Sequence, residues 1–176
     1  MNRKEFIIGT MAAGGLSLVA PSLVKSMGHL PNMTAKVVRA TEGKTLNVIG
    51  DQQTIKLTGK DTNGQFTLIE EENVPGTMIP MHVHEHEDEV FKVLEGQMEL
   101  TVDNKTTILH AGDLAFGPRG VPHTWKIVGD QKAKVILSVF PAGIEQMFEE
   151  LAQLPPGPPN PEALAQICGR YGIRFV

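Results

Sequence analysis

Gly76-Thr77-Met78-Ile79-Pro80-Met81-His82-Val83-His84-Glu85-His86-Glu87-Asp88-Glu89 sets two histidines one residue apart on a run that reads as a strand. In an extended chain successive side chains alternate between faces, so both imidazoles project to one side and Val83 to the other. One rigid strand can thus offer two nitrogens to a single ion. Glu89 follows an acidic loop and opens the next strand, where its carboxylate can add an oxygen. His123 comes from a distant hairpin and would close the set, because a barrel gathers inward-facing side chains from strands remote in sequence. His82, His84, Glu89 and His123 are therefore the expected ligands of one divalent transition metal. Nitrogen-plus-oxygen ligation suits iron, nickel, copper, manganese or zinc and does not choose among them. Neutral imidazoles and one carboxylate leave about one unit of positive charge on the site. An ion that prefers six ligands would keep two positions for a chelating small molecule.

Outward from this stretch the pattern is of short alternating runs, expected as strands at 36–40, 44–49, 53–58, 65–73, 78–84, 89–94, 97–102, 105–109, 113–116, 123–128 and 133–140. Gly50-Asp51, Asn63-Gly64, Asp103-Asn104 and Gly129-Asp130 fall between them, where tight turns need positive φ or side-chain bonds to the backbone. Met98, Leu100 and Val102 share one face and Gln97, Glu99 and Thr101 the other, as in an antiparallel sheet with one packed side. Strands at this spacing without intervening helices read as an all-β sandwich or barrel over 31–142.

The tail, 143–176, has a different period. Ile144, Met147, Phe148, Leu151 and Leu154 recur at helical spacing, and Pro155-Pro156-Gly157-Pro158-Pro159 stops that helix. Asn160 is a good N-cap and Pro161 a good first residue for a second short helix, with Leu164, Ile167, Cys168 and Tyr171 on its apolar side. Both helices read as structural packing, and Cys168 as a core thiol. Residues 1–30 begin with Arg3 and Lys4, continue apolar from Phe6 to Ala20 and close at Pro21 and Lys25. That run is short for a bilayer span of ~20 residues and fits an export signal, so the chain is expected to be periplasmic. A retained N-terminal anchor and a cytoplasmic location are the alternatives. Asn2-Arg3-Lys4-Glu5-Phe6-Ile7 also resembles the twin-arginine export motif, with lysine at its second arginine.

Composition narrows the function classes. At 176 residues, 41% hydrophobic and 20% charged, the chain is sized for one soluble globular domain. A net charge of -4 and the lack of any Lys/Arg cluster give no reason to expect nucleic acid. Cys168 is the single cysteine, which excludes an intramolecular disulfide and a thiolate metal cage.

The spacing also resembles a known family. Gly76 is followed by five residues, His82, one, His84, four, Glu89, six, and Gly96, as in the first cupin motif. After fifteen more residues come Gly112, Pro118, Gly120 and His123 at the spacing of the second motif, whose frequent final asparagine is Ile127 here. The resemblance implies a cupin fold, a double-stranded β-helix or jelly-roll barrel, followed here by the two short C-terminal helices. The chain further resembles single-domain cupins related to bacterial quercetin 2,3-dioxygenase, in this motif and in the tail from Phe148 to Tyr171-Gly172-Ile173. That likeness implies dioxygenase chemistry on a chelating enol or phenol, with Glu89 as the base that takes the hydroxyl proton, and pairing into a homodimer. The alternatives are an oxygen-independent enzyme, such as an isomerase or hydrolase, and a protein that binds a small molecule without transforming it. A transcription regulator is disfavoured, because no basic helix pair accompanies the strands. Glu85, His86, Glu87 and Asp88 read as a solvated loop, and Thr124 is not expected at the metal. His110 is expected to be exposed, and His29 lies in the linker. Met78, Met81, Phe91, Phe116 and Trp125 flank the ligands, and those facing inward would line an apolar pocket.

Overall fold

Side-chain parity along each strand decides what this protein encloses. The computed structural model describes residues 33–155, 157 and 160–176. In chain order these form β1 (Lys44–Val48), β2 (Asp51–Leu57), α1 (Gly59–Thr62), β3 (Thr67–Asn73), β4 (Met78–His84), β5 (Asp88–Glu95) and β6 (Gln97–Val102). There follow β7 (Lys105–His110), β8 (Leu114–Gly117), β9 (His123–Val128), β10 (Ala133–Phe140), α2 (Ile144–Leu151), α3 (Pro161–Arg170) and β11 (Ile173–Phe175). The strands divide between a six-stranded sheet ordered β1-β2-β3-β10-β5-β8 and a five-stranded sheet ordered β11-β4-β9-β6-β7. Every pairing is antiparallel. This is the jelly-roll arrangement expected for a cupin. The core lies where the inner faces of the two sheets meet: Ile55, Ile69, Phe91, Val93 and Leu137 from one, Met98, Leu100, Trp125 and Ile127 from the other. Gly96 lets β5 turn into β6 at φ 73°, where an added Cβ would lie 2.5 Å from the Lys132 carbonyl oxygen.

A bulge in β4 aims the histidines. Against β9, Ile79 pairs with Trp125 while His82 pairs with His123, so three steps on β4 match two on β9. The extra residue falls at Pro80-Met81, where proline has no N–H to give to the ladder. Upstream of the bulge the odd-numbered Ile79 shares the inner face with Trp125; downstream of it the even-numbered His82 and His84 do. Without this shift of parity the imidazoles would face the other way.

Three segments depart from the sequence reading. Residues 36–40 form no strand: they have no partner strand, and Val37 is 75% exposed. One-turn α1 and strand β11 were not anticipated. β11 is only three residues long, too short to show alternation, and exists by pairing with β4 in the register Ile173–His84 and Phe175–His82. The two C-terminal helices form close to the expected limits, with the Asn160 side chain accepting from the backbone N–H groups of Glu162 and Ala163. The expected export segment, with His29, lies outside the described residues. Among the described residues no helix is long and apolar enough to cross a membrane.

Candidate metal centre

β4 supplies His82 and His84, β9 supplies His123, and β5 supplies Glu89 from the opposite sheet. All four side chains are buried, and one ligand atom of each lies within 4.8 Å of every other. Opposite ligands with bonds of ~2.2 Å would span about 4.4 Å, so a shift of a few tenths of an ångström would seat an ion. The sequence-predicted set thus converges on one point.

The outward nitrogens establish which atoms face inward. His82 Nδ1 donates to the Pro80 carbonyl at 2.8 Å, and His123 Nδ1 to the Val121 carbonyl at 3.1 Å. His84 Nδ1 faces Glu87 Oε2 at 3.3 Å. With an acceptor behind each ring, a neutral imidazole keeps its proton on Nδ1 and turns the Nε2 lone pair inward; without an ion His123 Nε2 instead donates to Glu89 Oε2 at 2.9 Å. His82 Nε2 and His84 Nε2 then stand 3.1 Å apart. Two lone pairs so placed repel each other and are reconciled by a shared cation. The donor set therefore fits a divalent metal on its own geometry.

Electrostatics separate the roles. Burial, helped by His123, pushes His82 down to about 4, so it is neutral at pH 7. Burial alone would raise the Glu89 carboxyl, but His84, the 2.9 Å hydrogen bond with His123 Nε2 and the charge of His123 outweigh it, and its pKa is lowered. For His123 burial acts downward, and the same bond and charge from Glu89 carry the net shift upward. Glu89 Oε1 also lies 3.7 Å from His84 Nε2.

Around this set the acidic loop is partly structural. Glu87 backs His84, so it is a partner of a ligand and not merely solvated. Asp88 accepts from the Arg119 backbone at 2.9 Å and from its guanidinium at 2.7 Å, which holds the carboxyl down at about 2. Gly120 N–H donates to the His84 carbonyl at 2.7 Å. These bonds fasten the turn before β9 to the start of β5 and so set His123 beside Glu89. Glu85 and His86 are exposed, as is His110. The Thr124 hydroxyl goes to the Ile79 carbonyl at the bulge, not to the ligands.

His82, His84 and Glu89 open into a cavity of about 290 Å³. Met78, Ile79 and Trp125 border it near β4, and Phe91 packs edge-on to His123 at 6.2 Å between ring centroids. Phe116 points outward at 54% exposure, and Met81 is half-buried away from the cavity. The tail, read from sequence as packing alone, supplies much of the wall. Ile144, Met147, Phe148 and Leu151 of α2, Leu164 and Cys168 of α3, and Ile173 and Phe175 of β11 all line it. Burial raises the Cys168 thiol to about 11, in keeping with a packed residue. Sequence reasoning missed Asp51, Gln53 and Glu71, buried polar residues that also line the cavity. The missed signal was parity. Asp51, Gln53 and Ile55 alternate inward on β2, and Ile69, Glu71 and Asn73 on β3.

Comparison with known proteins bears on this site. Residues 70–140 match the model of the family described as cupin domain. Quercetin 2,3-dioxygenase of Bacillus subtilis is 32% identical over 132 residues, covering 73% of this chain and 39% of the relative. The chain spans between 39% and 48% of the length of the curated relatives it matches. Among solved structures, the polyketide cyclase RemF from Streptomyces resistomycificus is 30% identical with a TM-score of 0.54, over 62% of this chain and 81% of that one. KdgF from Halomonas has a TM-score of 0.58 at 19% identity, over 64% of this chain and 99% of that one, a likeness of fold.

Proposed function

Because the chain belongs to the cupin family, we propose that it is a metal-dependent dioxygenase acting on a chelating enol or phenol. The observation that carries this reading is the donor set itself. Three imidazoles have their Nδ1 atoms tied back, and they meet one carboxylate beside a mainly apolar cavity. The likeness to quercetin 2,3-dioxygenase supports it. A divalent ion held by His82, His84, Glu89 and His123 would supply Lewis acidity to a substrate oxygen.

The remaining chemistry falls to the chain's own side chains. Glu89 is ionised, so it can take the hydroxyl proton of a substrate at the site. Trp125, Ile79 and Phe175 offer flat and branched apolar surface on which an aromatic substrate can lie. α2 and α3 cover the cavity and limit the water around the reacting atoms.

The test joins elemental analysis of purified protein to an oxygen electrode. Addition of a flavonol should draw oxygen over many turnovers, in proportion to bound metal. Metal-loaded protein that takes up no oxygen with any chelating phenol or enol would overturn the reading. The likeness to a polyketide cyclase favours a second one: conversion of a polyphenolic substrate without oxygen at the same site. Product formation under nitrogen would select it.

A further inference from the structure

The cavity has polar groups in a place the metal does not need. Gln53 and Glu71 are cross-strand partners on β2 and β3, their side chains on the same inner face, and each is 2% exposed. Neither belongs to the converging ligand set. Along the sheet Glu89 is level with Val139 and Thr67, and Glu71 is four residues further along β3.

Counting donors and acceptors shows what is left over. Asp51 is satisfied, with Oδ2 accepting from Gln53 Nε2 at 2.7 Å and Oδ1 from Asn73 Nδ2 at 2.6 Å. Asn73 Oδ1 accepts from the Gln52 N–H at 2.9 Å. That network closes on itself. Gln53 Oε1 remains as a buried oxygen without a partner among the described residues. Beside it, Glu71 faces the cavity, and its charged neighbours are the acids Asp51 and Glu89. Burial first, then these two charges, raise its pKa well above the usual carboxylate range, and no opposing hydrogen bond or cation offsets them. The shift favours the protonated carboxyl, the form that can donate a hydrogen bond.

We propose that Glu71 and Gln53 form a second anchor in the cavity, which receives a hydroxyl at the far end of a ligand whose chelating head sits at the metal. A hydroxyl suits both partners at once, accepting from the Glu71 carboxyl and donating to Gln53 Oε1. The substrate class is then an extended phenol with two polar ends, an oxygen pair for the ion and a distal hydroxyl for the anchor, joined by an apolar body. This rests on the reading of the site as one for chelating enols or phenols. Glu71 is specificity-determining in it: it orients the ligand and takes no part in the reaction.

The test is anaerobic calorimetric titration of the metal-loaded protein with 3-hydroxyflavone and with the same flavonol carrying one hydroxyl on its pendant ring. The hydroxylated ligand should bind about tenfold more tightly, the worth of one hydrogen bond to an otherwise unpartnered buried group. Glu71→Met, an apolar replacement of similar length that relieves a buried acid, should keep full metal content and erase the preference. Glu71→Gln retains a neutral donor and should preserve most of it. Equal affinities in the unsubstituted protein, a preference that survives Glu71→Met, or metal loss in Glu71→Met would each overturn the anchor alone. If neither flavonol binds, the chelating-head reading falls, and the anchor falls with it.

Discussion

Glu89 and Glu71 stand on the inner face of the same sheet, both buried, and the fold shifts their pKa values in opposite directions. Around Glu89 the neighbours are imidazoles, and their hydrogen bonds and charge outweigh desolvation, so the carboxyl stays ionised. Around Glu71 the charged neighbours are acids, desolvation goes unopposed, and the pKa is raised. Burial alone therefore does not decide what a buried acid does. The nearest partners do, favouring the charged form beside a cation site and the protonated form beside other acids.

The sharpest way to break this contrast is to remove the imidazoles. His82→Ala and His123→Ala each delete one of four converging ligands. Even partners of metal ligands are worth about 10–100-fold in affinity, so loss of a ligand should exceed that and leave the purified protein nearly metal-free by elemental analysis. Full stoichiometry in either variant would show that the four residues do not act as one site. Next in size is Glu89→Gln, which keeps the shape and removes the charge. Some metal should remain while turnover of a chelating phenol falls by about 10²–10⁴, the usual worth of a positioned base. Unchanged turnover would free Glu89 of that role. Smaller again is Glu87→Gln, which weakens the partner behind His84 Nδ1. A fall of about tenfold in metal affinity, read by competition with a chelator, is expected; no change would return Glu87 to the solvated loop.

How much of this contrast can be read from the letters depends on what fixes each residue. His82, His84, Glu89 and His123 were legible because strand spacing and motif order are local facts that survive folding. The parity that aims them was less so, since it depends on a bulge whose only advance sign is Pro80. Glu71 hides inside Glu70-Glu71-Glu72, which looks like a solvated acidic run, yet alternation from Thr67 and Ile69 puts it inward. The role of Glu87 depends on the loop returning its side chain to His84, a loop conformation that spacing does not encode. The tail helices were legible as helices, but not as the wall of the cavity, because an apolar stripe says that it packs and not against what.

The smallest expected effect discriminates best between the two glutamates, because it carries a sign. A carboxyl whose native pKa is raised holds its proton in the folded chain after the unfolded chain has released it, so above the ordinary value of 4.5 stability falls as pH rises. For a lowered one, such as Glu89 without metal, the stabilisation is present above 4.5 and is lost as pH falls through the native value. Glu71→Gln removes the first dependence and nothing else that titrates. At matched metal content its melting temperature should lie close to that of the unsubstituted protein near pH 4.5 and move progressively above it towards pH 8, each kcal/mol appearing as about 2–4 °C for a domain of this size. Melting curves at a series of pH values measure the gap directly. A gap that stayed constant with pH would mean that Glu71 ionises like an ordinary carboxylate, and the two ends of the cavity would then differ in shape but not in charge.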